Sequence, residues 1–257
     1  MKLIFLATVL ALGSYLGYTI VEDPGSQLFG KTVTAGPNDA REIALTFDDG
    51  PNPPYTDRIL DVLRAEHVQA TFFVVGRAAV AYPATLRRIV REGHSIGNHT
   101  WDHSHLLMQS QETVNDELKR TDDAIYRITG IRTWLMRPPF GARDFAVLDE
   151  AKALGYTVVM WSVPLPNDWD QPGDATIVRR VIDNVHDGAI IVLHDGNRGI
   201  VCDPHRTAPK LCDRAQDVAA TREIIEDLKA QGYRFVTVPQ LLADSVDATR
   251  TLAHSSQ

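Results

Sequence analysis

Two aspartates, Asp48 and Asp49, stand side by side and are followed by Gly50 and Pro51. One carboxylate of such a pair can hold a divalent cation while the other takes a proton from a nearby water. Asp-Gly-Pro is also an ordinary turn signal, and alone it says no more than that. His99 and His103 lie four residues apart in His99-Thr100-Trp101-Asp102-His103. On a helical turn this spacing sets both imidazoles on one face, where a single ion can bridge them. Two solvated or capping histidines are the plain alternative, and His105 reads as a loop histidine. Arg137 opens Arg137-Pro138-Pro139-Phe140-Gly141, where prolines stiffen the backbone and a permanent charge can be aimed at a carboxylate. A merely rigid loop would look the same. His194, in Leu193-His194-Asp195-Gly196, can donate or accept a proton near neutral pH, or bond to a turn at a strand end. Each signal is weak alone, but they follow one another in order.

Such residues need a scaffold that gathers them. Short apolar or β-branched runs at 42–49, 69–76, 94–99, 134–138, 156–163, 188–194 and 233–238 read as strands. Between them, amphipathic stretches near 56–66, 78–92, 111–129, 144–154, 174–187 and 214–231 read as helices. Gly93, Gly155 and Gly232 supply helix stop signals. This alternation predicts one parallel α/β domain, open or closed into a barrel, with seven strands instead of eight. In that architecture functional groups collect at the C-terminal ends of strands. Asp48, Asp49, His99, His103, Arg137, Asp168, His194 and Asp195 all fall near such ends.

The 257 residues are 44% hydrophobic and 23% charged, enough to bury a core without a metal or disulfide staple. A formal charge of −7 argues against a nucleic-acid partner. Residues 4–21 are almost wholly apolar and follow Lys2, which reads as an export signal, either cleaved or retained as a membrane anchor. Both readings put the remaining chain outside the cytoplasm. Cys202 and Cys212 share one polar loop, and in an exported protein two such cysteines are expected to pair.

The motifs together resemble the polysaccharide deacetylase family (carbohydrate esterase family 4), whose shared domain is named after a rhizobial chitooligosaccharide deacetylase. The similarity runs through Thr46-Phe47-Asp48-Asp49-Gly50, His99–His103, Arg137–Gly141 and Leu193-His194-Asp195. Ala70–Val74 and Gly93–Asn98 add to it, so that it covers about residues 41–240. It implies a distorted (β/α) barrel with about seven parallel strands. Asp49, His99 and His103 would be ligands of one divalent metal, zinc first, with cobalt or nickel also fitting. Asp48 would be the general base, oriented by Arg137, and His194 the general acid, with Asp168 beside it. The Phe140 backbone N–H would hold the oxyanion, and Trp169 with Leu193 would receive the acetyl methyl. The fourth family motif departs from its pattern: Leu165 stands where a leading aspartate is usual, which leaves the anchoring of Arg137 open. The implied domains are a signal or anchor at 1–22, a linker at 23–40, a catalytic domain at 41–245 and a tail at 246–257. The implied partner is an N-acetylated glycan, deacetylated outside the cytoplasm. An O-deacetylase like those acting on acetylated xylan, or a silent sugar-binding module, are the other readings.

Overall fold

A computed structural model describes residues 23–203 and 205–243. Seven strands form its sheet: β1 Glu42–Asp48, β2 Thr71–Val74, β3 Ser95–Asn98, β4 Leu135–Met136, β5 Thr157–Val158, β6 Ile190–His194 and β7 Arg234–Phe235. The order is β5-β4-β3-β2-β1-β6, and every pair is parallel. β7 pairs with the first residues of β1. The helices are α1 Tyr55–Ala65, α2 Gly76–Ala81, α3 Pro83–Arg91, α4 Gln111–Thr129, α5 Phe145–Ala153, α6 Asp174–Ile182, α7 Pro209–Cys212 and α8 Ala215–Ala230.

β1 is central and buried at all seven positions, as expected for a parallel strand covered on both faces. Its odd residues Ile43, Leu45 and Phe47 join Ile59, Leu63, Ile224 and Leu228 of the covering helices. On its other face Ala44 meets Phe73, Trp161, Ile190 and Val192. Strand side chains alternate, so Thr46 and Asp48 share the face of Ala44. That face carries the chemistry.

The two outer edges of the sheet approach each other. The N–H of Ser162, beyond β5, donates to Ile190 O of β6 at 3.2 Å. Residues 33–36 bridge the same gap, Val33 pairing with Val159 and Ala35 with Ala189. The sheet is therefore curled into a distorted barrel. Residues 23–40, expected from composition to be a linker, instead bond to the barrel: Val33 and Gly36 N–H donate to Val158 and Gly188. Buried Arg143 also donates to the carbonyls of Asp23, Pro24 and Ser26. The small, polar residues that resemble a linker are also those that fit a tight seam.

One expected helix is split, and the strands read over 134–138, 156–163 and 233–238 each keep only two residues. The helix read over 78–92 is two helices, because Pro83 lacks an N–H and opens a new one after Tyr82 (φ −125°, ψ 57°). The strand read over 156–163 shrinks to two residues, since the carbonyls of Val159 and Met160 turn toward Arg137. The helix at 111–129 matches its reading, capped by Ser110 and closed by left-handed Gly130. Among the described residues no helix is long and apolar enough to cross a membrane. The apolar run 4–21 and the tail at 246–257 lie outside them.

Candidate active site

Asp48 ends β1 and Asp49 follows it. In an extended chain these neighbours would point to opposite faces. Asp49 escapes that rule by adopting φ 78°, a left-handed conformation that aspartate tolerates better than most residues. Both carboxylates thus reach one cavity. The turn depends on close backbone approach, because a Cβ on Gly196 would lie 2.5 Å from the Asp49 carbonyl. Buried Asp195 pins the same turn, accepting from Gly50 N–H at 3.2 Å and Thr56 Oγ1 at 2.6 Å.

His99 and His103 do meet on one side, but not on a helical turn. The run is irregular loop, with left-handed Thr100 (φ 67°) and His103 (φ 64°). Asn98 Oδ1 accepts from Thr100 N–H, and buried Glu117 accepts from Trp101 and Asp102 N–H. These side chains replace the backbone bonds that a helix would have supplied. Asp49 Oδ1 lies 3.4 Å from His99 Nε2 and 3.0 Å from His103 Nε2. Donors around a tetrahedral zinc with bonds of 2.0–2.1 Å sit about 3.3 Å apart, so the spacing fits one ion. Asp49 Oδ1 is buried and has no hydrogen-bond donor, as a metal ligand would be. His99 Nδ1 bonds Arg137 O at 2.8 Å, which orients the ring and turns the Nε2 lone pair inward. Burial pushes the His103 pKa down against the pull of Asp49, favouring the neutral form that ligates. Burial alone would raise Asp49, but the two imidazoles hold it well below the usual carboxylate range.

Arg137 is fully buried and all its donor groups are used. Nη1 donates to Asp48 Oδ1 at 2.7 Å and Thr46 Oγ1 at 2.8 Å. Nε and Nη2 donate to Val159 O at 3.1 Å and Met160 O at 3.0 Å. The guanidinium also lies 4.1 Å from the Phe73 ring centroid. Asp48 is thereby held with its second oxygen directed toward His99, 3.9 Å from Nε2.

On the neighbouring strand, paired with Asp48, His194 ends β6. Its backbone N–H donates to Asp168 Oδ2 at 2.7 Å, and its Nδ1 lies 2.9 Å from Asp168 Oδ1. Asp168 sits in a 3₁₀ turn between left-handed Asn167 and Gln171 and is completely buried. Burial would lower the His194 pKa, but the charge and hydrogen bond of Asp168 raise it to about 10, with Asp49 and Asp48 adding to the effect. The Trp169 ring meets the His194 ring edge-on at 5.5 Å and is half exposed. Phe140 is in a left-handed conformation (φ 61°), with its ring 4.6 Å from that of His103. Exposed His105 stacks on the same ring at 5.4 Å and is not among the grouped ligands.

Leu193 does not come to the site. It alternates with His194, so its side chain is buried in the cluster under the outer helices. The apolar residue of β6 on the face of His194 is Val192. Cys202 and Cys212 are bonded, as expected, with Cα atoms 6.0 Å apart. Their loop flanks the cavity, and Arg198 N–H within it donates to Asp49 Oδ2 at 2.7 Å.

A family model described as polysaccharide deacetylase matches residues 35–159. That span holds Asp48, Asp49, His99, His103 and Arg137, and stops before Asp168 and His194. A relative named peptidoglycan-N-acetylglucosamine deacetylase, from Bacillus cereus, is 40% identical over 208 residues, covering 80% of this chain and 90% of its own length. The chain belongs to the polysaccharide deacetylase family. A chitooligosaccharide deacetylase of Azorhizobium caulinodans is 36% identical, covering 77% of this chain and 92% of its own length. The solved structure of the Bc1960 peptidoglycan N-acetylglucosamine deacetylase superposes with a TM-score of 0.73 at 33% identity, covering 82% of this chain and 92% of that one. Several other relatives are longer, and the chain spans 40% of their length.

The departure from the polysaccharide deacetylase pattern at Leu165 does not loosen Arg137, because the carbonyls of Val159 and Met160 and the Thr46 hydroxyl complete its anchorage. Reading the sequence missed Asp217. Its carboxyl is fully buried in the first turn of α8, and burial with the neighbouring Asp168 pushes its pKa well above the usual range. Burial would raise Asp168 as well, but the charge and hydrogen bond of His194 hold it below the usual carboxylate range. Gln216 Nε2 donates to Asp168 O at 2.7 Å, and buried Arg214 donates to Gly196 O at 2.7 Å. The run Arg214-Ala215-Gln216-Asp217 reads only as a polar helix start; a buried aspartate among alanines was the one available signal.

Proposed function

We propose that the protein is a carbohydrate N-deacetylase that hydrolyses acetamido groups on N-acetylglucosamine-type units of a glycan outside the cytoplasm. The reading rests most on one juxtaposition: a braced carboxylate and a carboxylate-backed histidine stand at paired ends of β1 and β6, beside a three-ligand metal group. Its names among the relatives, peptidoglycan N-acetylglucosamine and chitooligosaccharide deacetylases, support the substrate class. The disulfide and the apolar run 4–21 support the compartment.

Asp49, His99 and His103 would hold the metal, zinc first and cobalt or nickel as alternatives. A divalent cation held there would supply Lewis acidity toward the acetyl carbonyl and the attacking water. Asp48 takes the proton from the attacking water, and the Arg137 bond keeps its carboxylate aimed. The Phe140 backbone N–H stabilises negative charge developing on the acetyl oxygen. His194, cationic because Asp168 backs it, delivers its proton to the glycan nitrogen as the C–N bond breaks. The products are acetate and a free amine. Trp169 walls the acetyl methyl, with Val192 on the same face as His194.

The test is acetate release from chitooligosaccharides, N-acetylated peptidoglycan and acetylxylan, before and after EDTA and with zinc, cobalt or nickel restored. Metal-dependent release from the N-acetylated glycans is expected. Full activity after chelation would overturn the metal assignment, and release from acetylxylan alone would move the activity to esters.

A further inference from the structure

We propose that Arg198 binds a carboxylate of the substrate, so that this site selects an anionic N-acetylated glycan over a neutral one. The proposal rests on the deacetylase reading above and names its substrate more closely. Arg198 lies at the start of the disulfide loop, and its backbone is pinned. Its N–H donates to Asp49 Oδ2, and its carbonyl accepts from Arg77 Nη2 at 2.7 Å. The next carbonyl, Gly199 O, accepts from Arg77 Nε at 2.9 Å. Arg198 itself is left-handed, at φ 48°, a conformation that persists only where surrounding contacts impose it. The side chain therefore leaves from a fixed root beside a metal ligand.

From that root the guanidinium lies over the Phe140 ring, 5.2 Å from its centroid, and the same ring meets His103 edge-on and stacks with exposed His105. The charge is thus one aromatic ring away from the ligand set. It is exposed, and among the described residues no carboxylate pairs with it. The nearest acid in its loop, Asp203, faces Arg206 instead at 3.9 Å. Between Gly196 and Ala215 the exposed cations of the loop are Arg198, Arg206 and Lys210, against two acids, Asp203 and Asp213, in a chain whose net charge is −7. A positive wall on an acidic protein, beside the site, suits an anion. A planar guanidinium held on an aromatic face presents its donors in the fork that a carboxylate matches. On the glycan that carboxylate can belong to a lactyl ether on the sugar or to a uronic acid.

The experiment measures kcat/KM of the metal-loaded full chain on three probes. These are neutral chitotetraose, a peptidoglycan-derived tetrasaccharide with free lactyl carboxylates, and a hyaluronan tetrasaccharide carrying uronate. At least one carboxylated probe should be preferred over chitotetraose, and added salt should weaken the preference. In Arg198→Gln the ratio of that probe to chitotetraose should fall roughly tenfold, the scale of one lost charge-assisted hydrogen bond. Arg198→Lys keeps the charge without the fork and should retain part of the ratio. The probe that responds identifies the source of the carboxylate. An unchanged ratio in Arg198→Gln, or an equal fall on all three probes, overturns the proposal while leaving the deacetylase reading intact. No acetate from any probe with metal supplied overturns both.

Discussion

At the residue scale, the site is two ion pairs that do opposite work. The Asp168 charge holds His194 protonated up to about pH 10, whereas a free imidazole loses its proton near pH 6.5. In the proposed mechanism His194 gives up that proton, so activity should fall on the alkaline side as it deprotonates. Asp168→Asn removes the charge that raises the pKa, and the alkaline limb of kcat/KM should move to lower pH with metal content unchanged. An unmoved limb would mean that another group tunes the acid. Arg137 and Asp48 make the complementary case, since both are buried and each satisfies the other. Arg137→Lys keeps the charge but loses the fork that reaches Asp48, Val159 and Met160 together. A base misplaced by about 1 Å can cost on the order of 10²-fold in kcat, and a loss of that order is expected with metal retained. Arg137→Ala should also destabilise the fold by about 3–5 kcal/mol, because a buried Asp48 is left unpaired; urea unfolding would show it.

At the element scale, short irregular stretches at strand ends decide where side chains point. Asp49, Thr100, His103, Phe140 and Asn167 all have positive φ, and each turns the chain at the rim of the cavity. Gly196 permits a close approach at the first of these turns, and the atoms it faces are the backbone of Asp49 and Gly50. Backbone cannot step aside as a side chain can. Gly196→Ala should push the Asp49 turn out of place and weaken zinc affinity by roughly 10–100-fold, the range seen when the support of a metal ligand is lost. Competition with a chelating dye would measure it, and native affinity would show that the turn is more compliant than this. The disulfide loop is the other element that shapes the rim. A cross-link spanning ten residues contributes about 2.5–3 kcal/mol in the chain-entropy model. Reduction, or Cys202→Ser with Cys212→Ser, should lower Tm accordingly. Thermal melts with and without reductant that coincide would remove the loop from the stability account.

At the scale of the whole molecule, residues 23–36 help to close the barrel across the gap between β5 and β6. A boundary placed at residue 41 by composition and resemblance would cut that closure away. Removing residues 1–40 should leave Arg143 without the carbonyls of Asp23, Pro24 and Ser26 and expose the edges of β5 and β6. Unsatisfied buried donors of this kind cost about 1–3 kcal/mol each. Removing only residues 1–22 keeps those contacts. The shorter chain should therefore melt well below the longer one, and equal melting temperatures would show that the seam is dispensable.

Read alone, the sequence determined the strand-helix alternation, a parallel α/β domain of seven strands, and the residue types at strand ends, because hydrophobic periodicity and turn chemistry are local; that the sheet closes into a barrel came from the family resemblance. Asp48, Asp49, His99, His103, Arg137 and His194 were legible for the same reason: each belongs to a short run whose members are neighbours in the chain. The tertiary structure decided which faces meet. Leu193 lost its place at the site to strand alternation, a geometric fact that outranks its position beside His194. Asp217 gained one because α8 packs it against Asp168, 49 residues earlier in the chain. The anchorage of Arg137 by Val159 and Met160 carbonyls left no mark in residue type, since any residue carries a carbonyl. Contacts made by backbone, or between residues distant in the chain, are set only when the sheet curls and its edges meet.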